Sequence, residues 1–187
     1  MDLVAKARNY ALAEIEKYGT PLLTHFDISE KKAIELAKKI KADETIVRVG
    51  ISLMDLKLGQ ALKENRLQEH VRMSVEAARL FLEKFGLDKE KEDKIINCIE
   101  AHHRDIEFTC IEAEICANAD CYRFIHPRGF FAYLTLLGKR CDNFDDCLNQ
   151  AEMKLDEKNN ILSLETCKRE LGDYYVTLKK FIADSRD

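Results

Sequence analysis

Proline and glycine are scarce here, 2 and 7 residues among 187, while 34% of the residues are charged. So few breakers among abundant Lys, Glu, Leu and Ala argue against a turn-rich β fold and for an all-α one. No apolar run approaches the roughly 20 residues that span a bilayer, and the opening "MDLVAKARNY" lacks the apolar core of a signal peptide. A cytoplasmic protein without membrane contact is the expectation. A basic block is missing too, and the formal charge is only −4, so nucleic acid is not an expected partner through a broad electrostatic surface. No two of the seven cysteines (98, 110, 116, 121, 141, 147, 167) form a C-x-x-C pair. An odd count without that spacing disfavours a zinc module or a disulfide framework, and the thiols read as small buried hydrophobes. With no internal repeat, low-complexity tract or linker, residues 1–187 read as a single domain, long enough to bury about two-thirds of its unfolded surface.

Helical periodicity runs through 2–18 and stops at "GTP", where Thr20 and Pro21 have the form of an N-cap followed by proline at the first helical position. The next helix is expected to reach Ile40, with a restart at Asp27 and Glu30 closing a capping box. "KADET" turns the chain into an apolar helix over 44–63, in which Gly59 marks the last turns or a close packing contact. An amphipathic helix over about 68–85 closes on Gly86, and another ends near His103. After the loop "RDIEFT", a helix from Ile111 to Phe124 ends before "HPRG", and 130–184 holds two or three more, with "FDDCLNQAEMKLDEK" as a solvated acidic face.

Two residues do not suit their surroundings. Asp55 interrupts "VGISLMDLKLGQAL", and Asp120 sits inside "EAEICANADCYRF". A carboxylate among apolar neighbours must reach water or find a partner. For Asp55 that partner could be an ordinary cation such as Arg48 or Lys57. The histidines suggest another: His25, His70, His102 and His103 lie on or beside different helices. A divalent metal at the centre of the bundle would satisfy carboxylates and imidazoles together. His102 and His103 are about 100° apart on an ideal helix, so both can face one point only if the helix ends there. His126 and Arg128 in "FIHPRGFF" suit either a phosphate contact or a plain turn.

The order His25, "MD" at 54–55, "EH" at 69–70, "HH" at 102–103 and "NAD" at 118–120 resembles the HD-domain superfamily of metal-dependent phosphohydrolases. The resemblance covers about 20–125 as an HD-like core and leaves about 126–187 as a C-terminal helical extension. It implies an all-α bundle holding one or two divalent ions (Fe, Mn or Zn), with His25, Asp55, His70, His102, His103 and Asp120 as the ligand candidates. It also implies hydrolysis of a phosphate ester or nucleotide by metal-activated hydroxide. Asp55, His103 and Arg123 are the expected catalytic residues, and Lys57, Arg104, His126 and Arg128 the expected substrate contacts. A small phosphorylated or nucleotide ligand is the expected partner, and a homo-oligomer is left open. One departure stands out: Met54 occupies the place of the name-giving histidine. A thioether is a poor ligand for hard ions, which weakens a two-metal site more than a one-metal site. The alternative is a degenerate domain that binds or regulates with little catalysis.

Overall fold

The computed structural model describes residues 2–186, and among them the chain forms ten α-helices and no strand. They are α1 (Leu3–Tyr18), α2 (Leu23–Ile40), α3 (Glu44–Leu53), α4 (Leu58–Lys63), α5 (His70–Leu82), α6 (Lys89–Glu100), α7 (Ile111–Ile125), α8 (Pro127–Leu137), α9 (Phe144–Ile161) and α10 (Glu165–Asp184). None of the helices among these residues is long and apolar enough to cross a membrane.

The bundle is arranged around α7, which packs on α2, α3, α6, α8, α9 and α10. All but two of its 15 residues are buried. A helix covered on every side needs small residues for close approach, and Ala113, Cys116, Ala117, Ala119 and Cys121 supply them. The cysteines fill this packing role. Cys98, Cys116, Cys121 and Cys167 are buried free thiols, and a Cβ added to Gly50 on α3 would lie 2.5 Å from Cys98 Cβ on α6. Buried polar residues of α7 find partners. Asn118 Oδ1 accepts from the backbone N–H groups of Ser163 and Leu164 at 3.1 Å each, and its Nδ2 donates to Ser163 Oγ at 2.8 Å. It thereby fixes the connection from α9 to α10.

Several boundaries differ from the sequence reading. Thr20 does not cap α2, whose first residue is Leu23; its hydroxyl instead accepts from Arg140 at 3.1 Å. No restart occurs at Asp27, because α2 continues unbroken to Ile40. The expected helix over 44–63 is two helices, interrupted at 54–57 by turn bonds from Leu56 N–H to Leu53 C=O and from Leu58 N–H to Asp55 C=O. The N–H of Lys57 then pairs with Ser74 Oγ on α5 instead of a helical carbonyl. Gly59 is a packing glycine: a Cβ there would stand 2.5 Å from Tyr18 Cβ and 2.8 Å from the Thr20 carbonyl. The "FDDCLNQAEMKLDEK" stretch is only partly a solvated face, since α9 buries Leu148, Ala151, Leu155 and Lys158.

Three substitutions test this packing. Gly50→Ala is expected to lose about 1–3 kcal/mol in urea denaturation, because Cys98 Cβ cannot swing away. Gly172→Ala, in α10 with nothing within 4 Å of the new methyl, is expected to gain about 0.5–1 kcal/mol. Asn118→Ala is expected to cost about 2–3 kcal/mol by stranding two backbone donors, read as a lower denaturation midpoint at unchanged slope.

Candidate metal centre

The interruption between α3 and α4 releases Asp55 from helical register and aims its carboxylate into the bundle. Its Oδ1 lies 3.8 Å from His70 Nε2 and 3.6 Å from His102 Nε2. Its Oδ2 receives Arg123 Nη1 at 2.5 Å. A second helix end does similar work. Because α6 stops at Glu100, both His102 and His103 line the same cavity, the one circumstance in which adjacent histidines can do so.

His70, His102 and His103 form the metal-capable cluster, with one nitrogen of each ring all within 4.8 Å of one another. Their outer nitrogens are tied down. His102 Nδ1 is 2.6 Å from the Ile99 carbonyl, His70 Nδ1 is 2.7 Å from the Leu67 carbonyl, and His103 Nδ1 is 3.2 Å from Glu157 Oε1. A carbonyl oxygen only accepts, so Nδ1 of His70 and of His102 carries the proton and Nε2 is left as a lone pair, while His103 Nδ1 lies between the Glu157 carboxylate and Lys158 Nζ at 3.4 Å. His70 Nε2 and His103 Nε2 then face each other at 3.3 Å. Nitrogens at that distance are held by a proton on His103 Nε2 or by a cation that both lone pairs share. Nitrogens sharing one tetrahedral ion at the usual bond length would be about 3.4 Å apart. The donor set therefore fits a divalent ion, with the outer hydrogen bonds that orient metal-bound imidazoles already in place.

The electrostatics agree with neutral imidazoles at His70 and His102. Burial, helped by His103, lowers His102 to about 3, and burial also lowers His70. Burial alone would raise the Asp55 carboxyl, but the Arg123 guanidinium holds it below the ordinary carboxylate range. Asp120 behaves similarly: burial opposes ionisation, and Lys158 with Arg123 overcomes it. Asp120 Oδ1 accepts from Arg123 Nη1 at 2.7 Å, and Lys158 Nζ is 2.7 Å from Asp120 Oδ2. Asp55 thus pairs with Arg123, not with Arg48 or Lys57.

These groups line a cavity of about 200 Å³. His70, His102, His103, Asp55 and Asp120 stand with Arg123, Lys154, Lys158 and Arg140 on its polar side, against apolar residues including Leu22, Leu62, Phe124 and Tyr133. His25 lines the same cavity, but its Nε2 is 2.9 Å from the Gly129 carbonyl, a bond that pins α2 to the start of α8 and keeps this nitrogen out of the imidazole cluster. Met54 is 1% exposed in the apolar core.

Four expected substrate contacts are not brought here. Lys57 turns to Glu14 on α1 at 2.9 Å, because the turn that frees Asp55 sends the two side chains in different directions. Arg104 reaches the Asn160 carbonyl at 3.3 Å on the exposed surface. His126 and Arg128 border a separate hollow between α2, α7 and α10, together with Lys31, Lys32 and Glu170. Proline at the first position of α8 turns that corner away from the imidazoles. Conversely, Lys154, Glu157 and Lys158 of α9 were not anticipated. Their signal was available in part: Lys154 and Lys158 are four apart, hence on one helix face with Ala151 and Leu155.

No protein-family profile matches the chain. Ribonuclease Y of Finegoldia magna is 32% identical over 132 residues, 71% of this chain and 24% of that protein. Ribonuclease Y of Fusobacterium nucleatum subsp. nucleatum is 32% identical over 135 residues, 72% of this chain and 25% of that protein. The matched stretch therefore spans about a quarter of the length of these relatives. A crystal structure of a predicted HD superfamily hydrolase from an uncultured Thermotogales bacterium superposes with a TM-score of 0.69 at 16% identity, covering 96% of this chain and 89% of that one. That superposition includes the C-terminal helices, which the sequence resemblance had left unmatched. The chain thus shares the fold of that predicted HD superfamily hydrolase, and along this fold its histidines and carboxylates keep the order on which the resemblance rests.

Proposed function

We propose that the chain is a divalent-metal-dependent phosphohydrolase acting on a phosphate ester or nucleotide. The observation that carries this reading is the set of three imidazoles converging in a cationic cavity, two of them oriented by backbone carbonyls. His70, His102 and His103, with Asp55 Oδ1 beside them, would hold Fe, Mn or Zn. The ion supplies, when bound, Lewis acidity toward water and toward a phosphoryl oxygen.

The rest of the work falls to the protein's own groups. Lys154, whose charged form is disfavoured by burial and by neighbouring Lys158, gains from an incoming anion and would donate to a phosphoryl oxygen. Arg140, exposed at the rim and held by Thr20, would fix a second oxygen. Arg123 keeps Asp55 ionised and in place while offsetting charge that develops on the phosphoryl group. The apolar wall of Leu22, Leu62, Phe124 and Tyr133 would exclude water and pack the organic part of the ester. About 200 Å³ is smaller than a typical small-ligand site, so the cavity takes the phosphoryl end of the substrate and leaves the remainder at the mouth. The likeness to proteins named ribonuclease Y supports a phosphodiester of a nucleotide as the first class to try.

The test is hydrolysis by protein loaded with Mn(II), Fe(II) or Zn(II), across phosphomonoesters, linear and cyclic phosphodiesters and nucleotides. Turnover is expected with at least one ion, and His102→Ala is expected to lower both metal content and rate by about 100-fold or more. Arg140→Ala is expected to raise KM about tenfold with kcat little changed. A fully metallated protein that cleaves none of the esters would overturn the reading and leave ligand binding without turnover as the function of the fold.

A further inference from the structure

Carboxylates from two separate elements converge on a single atom. Arg123 Nη1 donates to Asp55 Oδ2 at 2.5 Å and to Asp120 Oδ1 at 2.7 Å, while Arg123 Nε has no hydrogen-bond partner. Guanidinium usually spreads its donors in a fork. Here one nitrogen serves both acids, so the side chain is placed as a point of positive charge. Lys158 Nζ completes the arrangement at 2.7 Å from Asp120 Oδ2, and Lys158 is 1% exposed and Asp120 2% exposed.

Two carboxylates meeting beside an imidazole cluster, one of them shared with it, form the donor pattern that in general holds a second ion in a two-metal site. We infer that Arg123, backed by Lys158, is a built-in cation standing where that second ion would be held between Asp55 and Asp120, so that the centre takes one ion only, on His70, His102 and His103. This rests on the metal reading above. Neither flanking residue offers a way round it. Met54 lies in the apolar core with no hard donor, and His25 Nε2 is spent on the Gly129 carbonyl. A guanidinium does not lose its charge at any physiological pH, so an ion could enter only by leaving a buried cation without its partners.

Metal stoichiometry and coupling decide the matter without reference to activity. Wild-type protein loaded anaerobically with excess Mn(II) and then desalted is expected to hold one ion per chain by elemental mass spectrometry, with an uncoupled mononuclear electron paramagnetic resonance signal. Arg123→Met is expected to melt lower than wild type without metal, and to take up a second Mn(II) with an exchange-coupled signal and a larger metal-induced rise in melting temperature. Two ions and a coupled signal in wild type would overturn the inference and leave the metal reading intact. No ion in wild type, as in His102→Ala, would overturn both. A folded Arg123→Met that stays at one ion also counts against the inference; if that variant does not fold, the wild-type count and coupling decide alone.

Discussion

The chain of buried charges from Asp55 through Arg123 and Asp120 to Lys158 ties together three parts of the molecule: the turn after α3, one turn of α7, and the last turn of α9. Placing four ions in a bundle interior is costly, and the arrangement persists because each charge lies against an opposite one with short hydrogen bonds. Everything else in the cavity is set relative to that chain. Asp55 can present Oδ1 to the imidazoles only because Oδ2 is held by Arg123, and α9 is brought over the site by the same ion pairs that neutralise Asp120.

Two departures from regular helix make the site, and both cost backbone hydrogen bonds that are recovered locally. The break between α3 and α4 exchanges helical bonds for tighter turn bonds and a bond to Ser74, and it frees Asp55 from an apolar face where its charge would have no outlet. The end of α6 at Glu100 lets adjacent histidines face the same way, with His102 anchored to the last turn of its own helix through Ile99. Regular helix at either place would still pack its apolar residues. It would not assemble the cluster.

The sequence conveyed the helical class, most of the helices and the ordered set of unusual residues, because periodicity and misplaced charge are local signals. The split of 44–63 was not legible, since every residue there except Asp55 suits one continuous helix, and the break is imposed by Ser74 from another element. His102 and His103 were legible only as a condition, met if the helix stopped. His25 and Asp120 stood out in the sequence as ligand candidates, but their partners Gly129 and Lys158 lie 104 and 38 residues further on, beyond the reach of any local pattern. Lys57, Arg104, His126 and Arg128 show the converse limit. Nearness along the chain placed them beside the site, and the turns that carry it sent them elsewhere.

The seat of Asn118 on the connection between α9 and α10 has a consequence for how the protein matures. A chain synthesised as far as Ile125 already has every histidine of the cluster, both aspartates and Arg123, but it lacks Glu157 to orient His103 and Lys158 to balance Asp120. Until α9 docks, Asp120 has half its counter-charge and one imidazole is free to rotate. The centre therefore cannot be completed before α9 docks, and a chain that stops short of α9 cannot carry an assembled site.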